Sequence, residues 1–152
     1  MSKVVSTYIE LHIMKIENDQ LKFLLLKRSP NEKYPNIWQM VTGKIRDGEK
    51  AYETALRELK EETGLAAEEL FTVPIVNSVY LSETDEVCLI PVFLCRVNEK
   101  SEIKISEEHS EYKWLNAEEA EKLLNWEGQK KSIRMINDYW INSKEKLIKI
   151  FG

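Results

Sequence analysis

Apolar and polar residues alternate over residues 4–16, the two-residue period of a strand with one covered face. Glu17-Asn18-Asp19-Gln20 interrupts the pattern as a turn. Residues 21–28 (LKFLLLKR) follow as an almost unbroken apolar run, which predicts a strand buried on both faces. Ser29-Pro30-Asn31 and Tyr34-Pro35-Asn36 punctuate an irregular loop, and residues 37–42 run from it into Gly43. From Glu49 the period becomes helical. Each helical residue advances by about 100°, so Tyr52, Ala55, Leu56 and Leu59 cover one side, and Gly64 closes the helix as its C′ residue.

Residues 66–70 predict a turn or one helical turn, and residues 73–81 and 87–97 predict two strands joined through 82–86. Pro91 cannot donate to a ladder, so its strand must be an edge or carry a bulge. A charged loop over 98–106, with a short strand at 102–105, leads to a strand at 112–115. Asn116 is a good N-cap for a helix to Leu124. The stripe Ile133, Ile136, Trp140, Ile141 and Leu147 predicts a last helix over 128–150.

At 152 residues the chain is expected to form a single domain over 1–152 with a real core. Its 43% hydrophobic and 32% charged content is ordinary for a globular protein. No apolar run approaches the roughly 20 residues of a membrane span, and the N-terminal segment lacks a secretory signal pattern. The formal charge of −4 provides no general attraction for a nucleic-acid polymer. Cys88 and Cys95 lie seven apart in one expected strand and so face opposite sides. They cannot pair there, and two buried thiols in a reducing cytoplasm are expected.

The helix over 49–63 carries the chemistry. Glu58, Glu61 and Glu62 fall on one arc, and the residues stacked before Glu58 on it, Ala51, Thr54 and Ala55, are all small. Like charges three and four residues apart cost roughly 0.2–0.5 kcal/mol per pair, and carboxylates near a helix C-terminus oppose its dipole. Lys60 points to the other side. A site that accepts these penalties suits a hard divalent cation, for which carboxylate oxygens are the natural ligands.

The stretch from Gly43 to Leu65, GKIRDGEKAYETALRELKEETGL, resembles the Nudix box, G-x5-E-x7-R-E-U-x-E-E-x-G-U with U apolar. Gly43, Glu49, Arg57, Glu58, Leu59, Glu61, Glu62, Gly64 and Leu65 fill its specified positions. The resemblance implies an α/β Nudix fold, a mixed β-sheet sandwiched between α-helices. It also implies a hydrolase of nucleoside diphosphates linked to another moiety, using Mg²⁺ or Mn²⁺. Metal ligation would fall to Glu58, Glu61 and Glu62, with Glu61 or Glu58 as general base. The backbone carbonyl of Thr42 would join the metal shell. Arg57 and Glu49, with Glu53 between them at four-residue spacing, would form an ion-pair strut aiming the helix. Where many members have Pro-Gly-Gly, this chain has Val41-Thr42-Gly43.

Trp38-Gln39 before the box and Glu108-His109 with Tyr112-Lys113-Trp114-Leu115 after it are similar to the dihydroneopterin triphosphate pyrophosphatase subgroup. In that alignment Glu108 reaches the metal, and His109 either orients ligand or water or is a surface or capping imidazole. Trp38 is either core or a platform for a flat base. Gln39 is a surface amide or reads a base edge. Lys27, Arg28 and Lys33 are loop cations, of which Arg28 could contact phosphate. The resemblance thus implies a pyrophosphohydrolase of a nucleoside or pterin triphosphate, acting on a small molecule as a monomer or homodimer. Asymmetric cleavage of diadenosine tetraphosphate is the enzymatic alternative, and a nucleotide-sensing module without catalysis is the other.

Overall fold

The computed structural model describes residues 1–152. Its sheet contains β1 (Lys3–Val5), β2 (Tyr8–Glu17), β3 (Gln20–Arg28), β4 (Trp38–Gln39), β5 (Val41–Lys44), β6 (Glu69–Leu81), β7 (Glu86–Arg96), β8 (His109–Leu115) and β9 (Ile148–Phe151). The helices are α1 (Ala51–Thr63), α2 (Ala117–Leu123) and α3 (Glu127–Asn142). The main strand order is β4-β3-β2-β7-β6-β9, with β1 beside β7, β5 beside β2 and β8 beside β3. β1 and β2 both run parallel to β7, and the other pairings are antiparallel. The sheet is mixed, as expected.

Each face of the sheet has its own core. On one, Ile9, Leu11, Leu24 and Leu26 pack with Ala55 and Leu59 of α1. On the other, Met14, Phe23, Leu25 and Leu94 pack with Ala120 of α2 and Ile133 and Ile136 of α3. Strand β3 therefore alternates between two apolar environments, which is why its sequence is an unbroken apolar run. Helix α1 begins at Ala51, two residues later than the periodicity suggests. Glu53 caps it by accepting from the Lys50 backbone N–H at 2.8 Å, and Gly64 ends it in the left-handed region at φ 72°.

Several expectations are corrected. The single strand over 4–16 is two, because the chain switches partners along β7: β1 pairs with Glu86–Cys88 and β2 with Val92–Arg96. Pro91 falls between those two ladders and opposite the register shift between Val73 and Val76 of β6, so the irregularity lies in the partner strand and not in Pro91's own. Glu69 and Leu70, expected to close a turn, open β6, and His109 already begins β8. Residues 102–105 form no strand. They pass under the end of α1, where Lys104 N–H donates to the Thr63 carbonyl at 2.9 Å. The last helix stops at Asn142. Leu147 is buried in the second core, and residues 148–151 turn back as β9 along Leu70–Thr72. Leu147 reaches that core from the turn after the helix, while Ile141 of the expected stripe is exposed.

The alternating strand at the N-terminus carries a second surprise. Glu10 and His12 occupy its polar positions, yet they are 3% and 1% exposed. Helix α3 covers that face too, and the polar groups pair internally. His12 Nε2 lies 2.5 Å from a Glu10 oxygen. The other Glu10 oxygen accepts from Asn77 at 2.9 Å, and the Asn77 amide also reaches Ser132 Oγ at 3.1 Å and the Gly128 carbonyl at 3.3 Å. This chain of contacts fastens the first turn of α3 to the middle of the sheet. Cys88 and Cys95 are free and buried.

Breaking a buried pair from one side leaves an uncompensated polar partner. Glu10→Leu should therefore lower unfolding free energy by about 3–5 kcal/mol, read from urea titration. An unchanged midpoint would show that the network does not hold α3 in place.

Candidate metal and catalytic site

Arg57 is the hub of the box. Its Nε donates to Glu49 Oε2 at 2.7 Å, and its Nη2 donates to Glu49 Oε1 and to the Lys44 carbonyl, both at 3.0 Å. Its Nη1 donates to Glu58 at 2.6 Å and to Glu61 at 3.2 Å. Glu49 also accepts from the Thr54 hydroxyl at 2.6 Å. The hydrogen bonds from Arg57 and Thr54 hold the Glu49 carboxyl down at about 2, and Glu49 in turn raises Arg57. Glu53, expected in this strut, serves as the helix cap instead.

The three box carboxylates occupy different depths. Glu61 is half exposed, Glu58 is mostly covered, and Glu62 is 3% exposed. Gly43 explains the placement of Glu58: a Cβ there would stand 2.3 Å from its Cγ. Position 43 of β5 is thus a glycine because a carboxylate arm from α1 crosses its backbone. Burial, followed by the charges of Glu58 and Glu108, pushes Glu62 up to about 9. Burial, followed by Glu58, also raises Glu108.

The sequence-distant side of the site comes from β4 and β8. Glu62 Oε1 lies 3.8 Å from His109 Nδ1, and His109 is 3% exposed. That corrects the surface or capping imidazole. Burial, followed by the Arg28 charge, lowers it to about 4. Gln39 is also buried, with its amide nitrogen 3.4 Å from His109 Nε2, so it is neither a surface amide nor free to read a base. Ligand atoms of Glu62, Glu108 and His109 lie within 4.8 Å of one another. The Ser29 N–H and hydroxyl tie this loop down by donating to the Glu108 and Glu107 carbonyls at 2.9 and 2.8 Å.

Arg28 is turned inward on its own loop. Its Nε donates to the Lys33 carbonyl at 2.6 Å, and its Nη2 lies 3.7 Å from Glu32. Trp38 is half-buried against the core beneath α2 and α3, with Lys113 Nζ 5.0 Å and Lys27 Nζ 6.0 Å from its ring centroid. The core option therefore describes Trp38 better than a base platform. Thr42 pairs with Glu10 between β5 and β2, immediately before Gly43.

These residues suit a hard cation by their own chemistry. Glu62 Oε2 is buried without a hydrogen-bond partner, a costly state for a carboxylate that a cation would relieve. The remaining donors are carboxylate oxygens, and Gly43 clears the space in which one of them sits.

The NUDIX domain family matches residues 11–136. The chain belongs to the Nudix family. It is a Nudix hydrolase, of a family that acts on nucleoside polyphosphates and generally depends on a divalent metal. This Nudix chain is 34% identical over 128 residues to the asymmetrical bis(5′-nucleosyl)-tetraphosphatase of Rattus norvegicus, covering 80% of this chain and 82% of that protein. It is 29% identical over 135 residues to the dihydroneopterin triphosphate diphosphatase of Haemophilus influenzae, covering 76% and 78%. Among solved structures, it shares its fold with a C. elegans Ap4A hydrolase binary complex at TM-score 0.74 and 22% identity, covering 93% of this chain and 98% of that one. The E. coli dihydroneopterin triphosphate pyrophosphohydrolase gives TM-score 0.68 at 25% identity, covering 88% and 99%. No helix is long and apolar enough to cross a membrane.

The raised Glu62 carboxyl has a measurable consequence in the metal-free protein. Its folded value, about 9, lies above the ordinary 4.5. Folding therefore retains a proton that the unfolded chain gives up as pH rises, and Glu62 contributes declining stability from about pH 4.5 to about 9. Without metal, Glu62→Gln should flatten that decline relative to wild type in denaturant titrations across this range. Parallel curves for the two proteins would mean that Glu62 is already ionised in the fold.

Proposed function

We propose that this chain hydrolyses a phosphoanhydride bond of a nucleoside polyphosphate with a divalent cation, and that a dinucleoside tetraphosphate is its preferred substrate. The observation that carries this reading is the groove beside the box. Lys44, Ile45, Arg46, Asp47, Arg57 and Glu58 line a cleft of about 410 Å³. Lys44 also borders a second cleft of about 580 Å³ that includes Lys33, Tyr8, Tyr34 and Tyr80. A polyphosphate running from the carboxylates would meet Lys44, Arg46 and Lys33 in turn, and its far nucleoside would meet aromatic faces. The identity to the rat tetraphosphatase agrees with this length of substrate.

Bound Mg²⁺ or Mn²⁺ would neutralise phosphate oxygens and lower the barrier to attack by water. Glu58, Glu61, Glu62 and Glu108, with the Thr42 carbonyl, are the residues assigned to hold it. Glu61 or Glu58 accepts the proton of the attacking water. Arg57 and Glu49 hold each other through two hydrogen bonds within the box. They fix the direction of Glu58 and Glu61, so Arg57 is a positioning residue. Arg28 braces its own loop through the Nε bond to the Lys33 carbonyl, and its guanidinium, 3.7 Å from Glu32, supplies charge to the site. Base contacts are assigned to the cleft tyrosines in place of Trp38 and Gln39. Two buried free thiols agree with a reducing cytoplasm.

A second reading, release of pyrophosphate from a pterin or nucleoside triphosphate, is favoured by the Val41-Thr42-Gly43 and Glu108-His109 segments and by the Haemophilus relative. A nucleotide panel with Mg²⁺ separates the two. ATP plus AMP from diadenosine tetraphosphate is the expected result. Phosphate appearing from triphosphates only when pyrophosphatase is added would give precedence to the second reading. Tight binding without product would mark a sensor. In the same assay Glu62→Gln should lose at least about 10²-fold in rate. Wild-type turnover in that variant would remove the box from the mechanism.

A further inference from the structure

We infer that Gln39 is a positioning residue that fixes the ring of His109 so that its Nδ1–H faces the Glu62 carboxyl. The inference rests on the reading of Glu62 as a cation-holding carboxylate and deepens it. Gln39 and His109 come from strands on opposite sides of β3. Leu26 is registered with Gln39 of β4 on one side and with Tyr112 of β8 on the other, and His109 is registered with Arg28. Adjacent strands lie about 4.8 Å apart, so a side chain from each flank must reach over β3 for the two to meet. They do meet, with Gln39 Nε2 3.4 Å from His109 Nε2, and both residues are buried.

A carboxamide nitrogen donates and does not accept, so the ring nitrogen opposite it must be the acceptor. In a neutral imidazole the proton then sits on Nδ1. Nδ1 is buried without a partner in contact, and Glu62 Oε1 lies 3.8 Å from it. A donor on that side faces Oε1 across 3.8 Å and leaves Oε2, itself buried and unpartnered, as the oxygen available to a cation. Groups that hydrogen-bond a metal ligand set its orientation, and their loss typically costs 10–100-fold in metal affinity. The opposite tautomer would present a lone pair on Nδ1 and make His109 itself a ligand beside Glu62 and Glu108. The two arrangements differ by the position of one proton.

Two-dimensional ¹H–¹⁵N NMR of the imidazoles in metal-free protein reads that proton directly. Wild type should show His109 as the Nδ1–H form. Gln39→Glu keeps the side-chain length but turns the donor into an acceptor, and it should place a proton on Nε2. Gln39→Leu should release the preference and weaken Mn²⁺ binding, followed by electron paramagnetic resonance, by about 10-fold or more. An Nε2–H ring in wild type, or variants whose tautomer and Mn²⁺ affinity both match wild type, would overturn the inference. Glu62→Gln serves as the separate control. If it binds Mn²⁺ as wild type does, the reading of Glu62 as a cation ligand fails, whatever the His109 spectrum shows about Gln39.

Discussion

One guanidinium holds the arrangement together. Arg57 uses its donors on Glu49, Glu58, Glu61 and the Lys44 carbonyl. It therefore links the loop entering α1 to the carboxylates on the far end of the same helix. Clustered carboxylates repel one another, and without a shared cation they would spread into solvent. A planar fork of fixed geometry can satisfy several of them at defined angles, which a flexible lysine could not. The ion-pair strut also explains why Glu58 can cross the Gly43 backbone so closely: its oxygen is already held.

The second constraint is that helices cover both faces of the sheet. That arrangement gives β3 two apolar environments and forces the polar positions of β2 inside. The Glu10–His12–Asn77–Ser132 contacts are the response, and they dock α3 at a defined point. Buried polar contacts are weak evidence of stability gained. Their effect here is positional, because each partner comes from a different element.

The active side of the molecule is likewise assembled from pieces that share no local sequence. Glu62 comes from α1, His109 from β8 and Gln39 from β4. Residues 29–36 fold over the site with Tyr34 and Asn36 in the left-handed region. Arg28 and Ser29 anchor this loop to its own carbonyls and to the Glu107–Glu108 loop. Burial then differentiates three chemically identical box carboxylates, leaving Glu61 wet and Glu62 dry.

The helix of the box, its covered side, its closing glycine and its three carboxylates were legible from residue spacing, because a helix converts spacing directly into direction. The same holds for the apolar run of β3. What spacing could not supply was anything dependent on two distant segments. Whether Glu10 faces water depends on α3 arriving over it, and whether Leu147 belongs to the last helix depends on the turn that brings β9 back along β6. Gln39 and His109 are separated by 70 positions, so only the strand order around β3 brings them together. Local periodicity determined the box helix, the apolar run of β3 and the arc shared by Glu58, Glu61 and Glu62. The packing of those elements decided which polar groups lost their water, and with it the chemistry available to each.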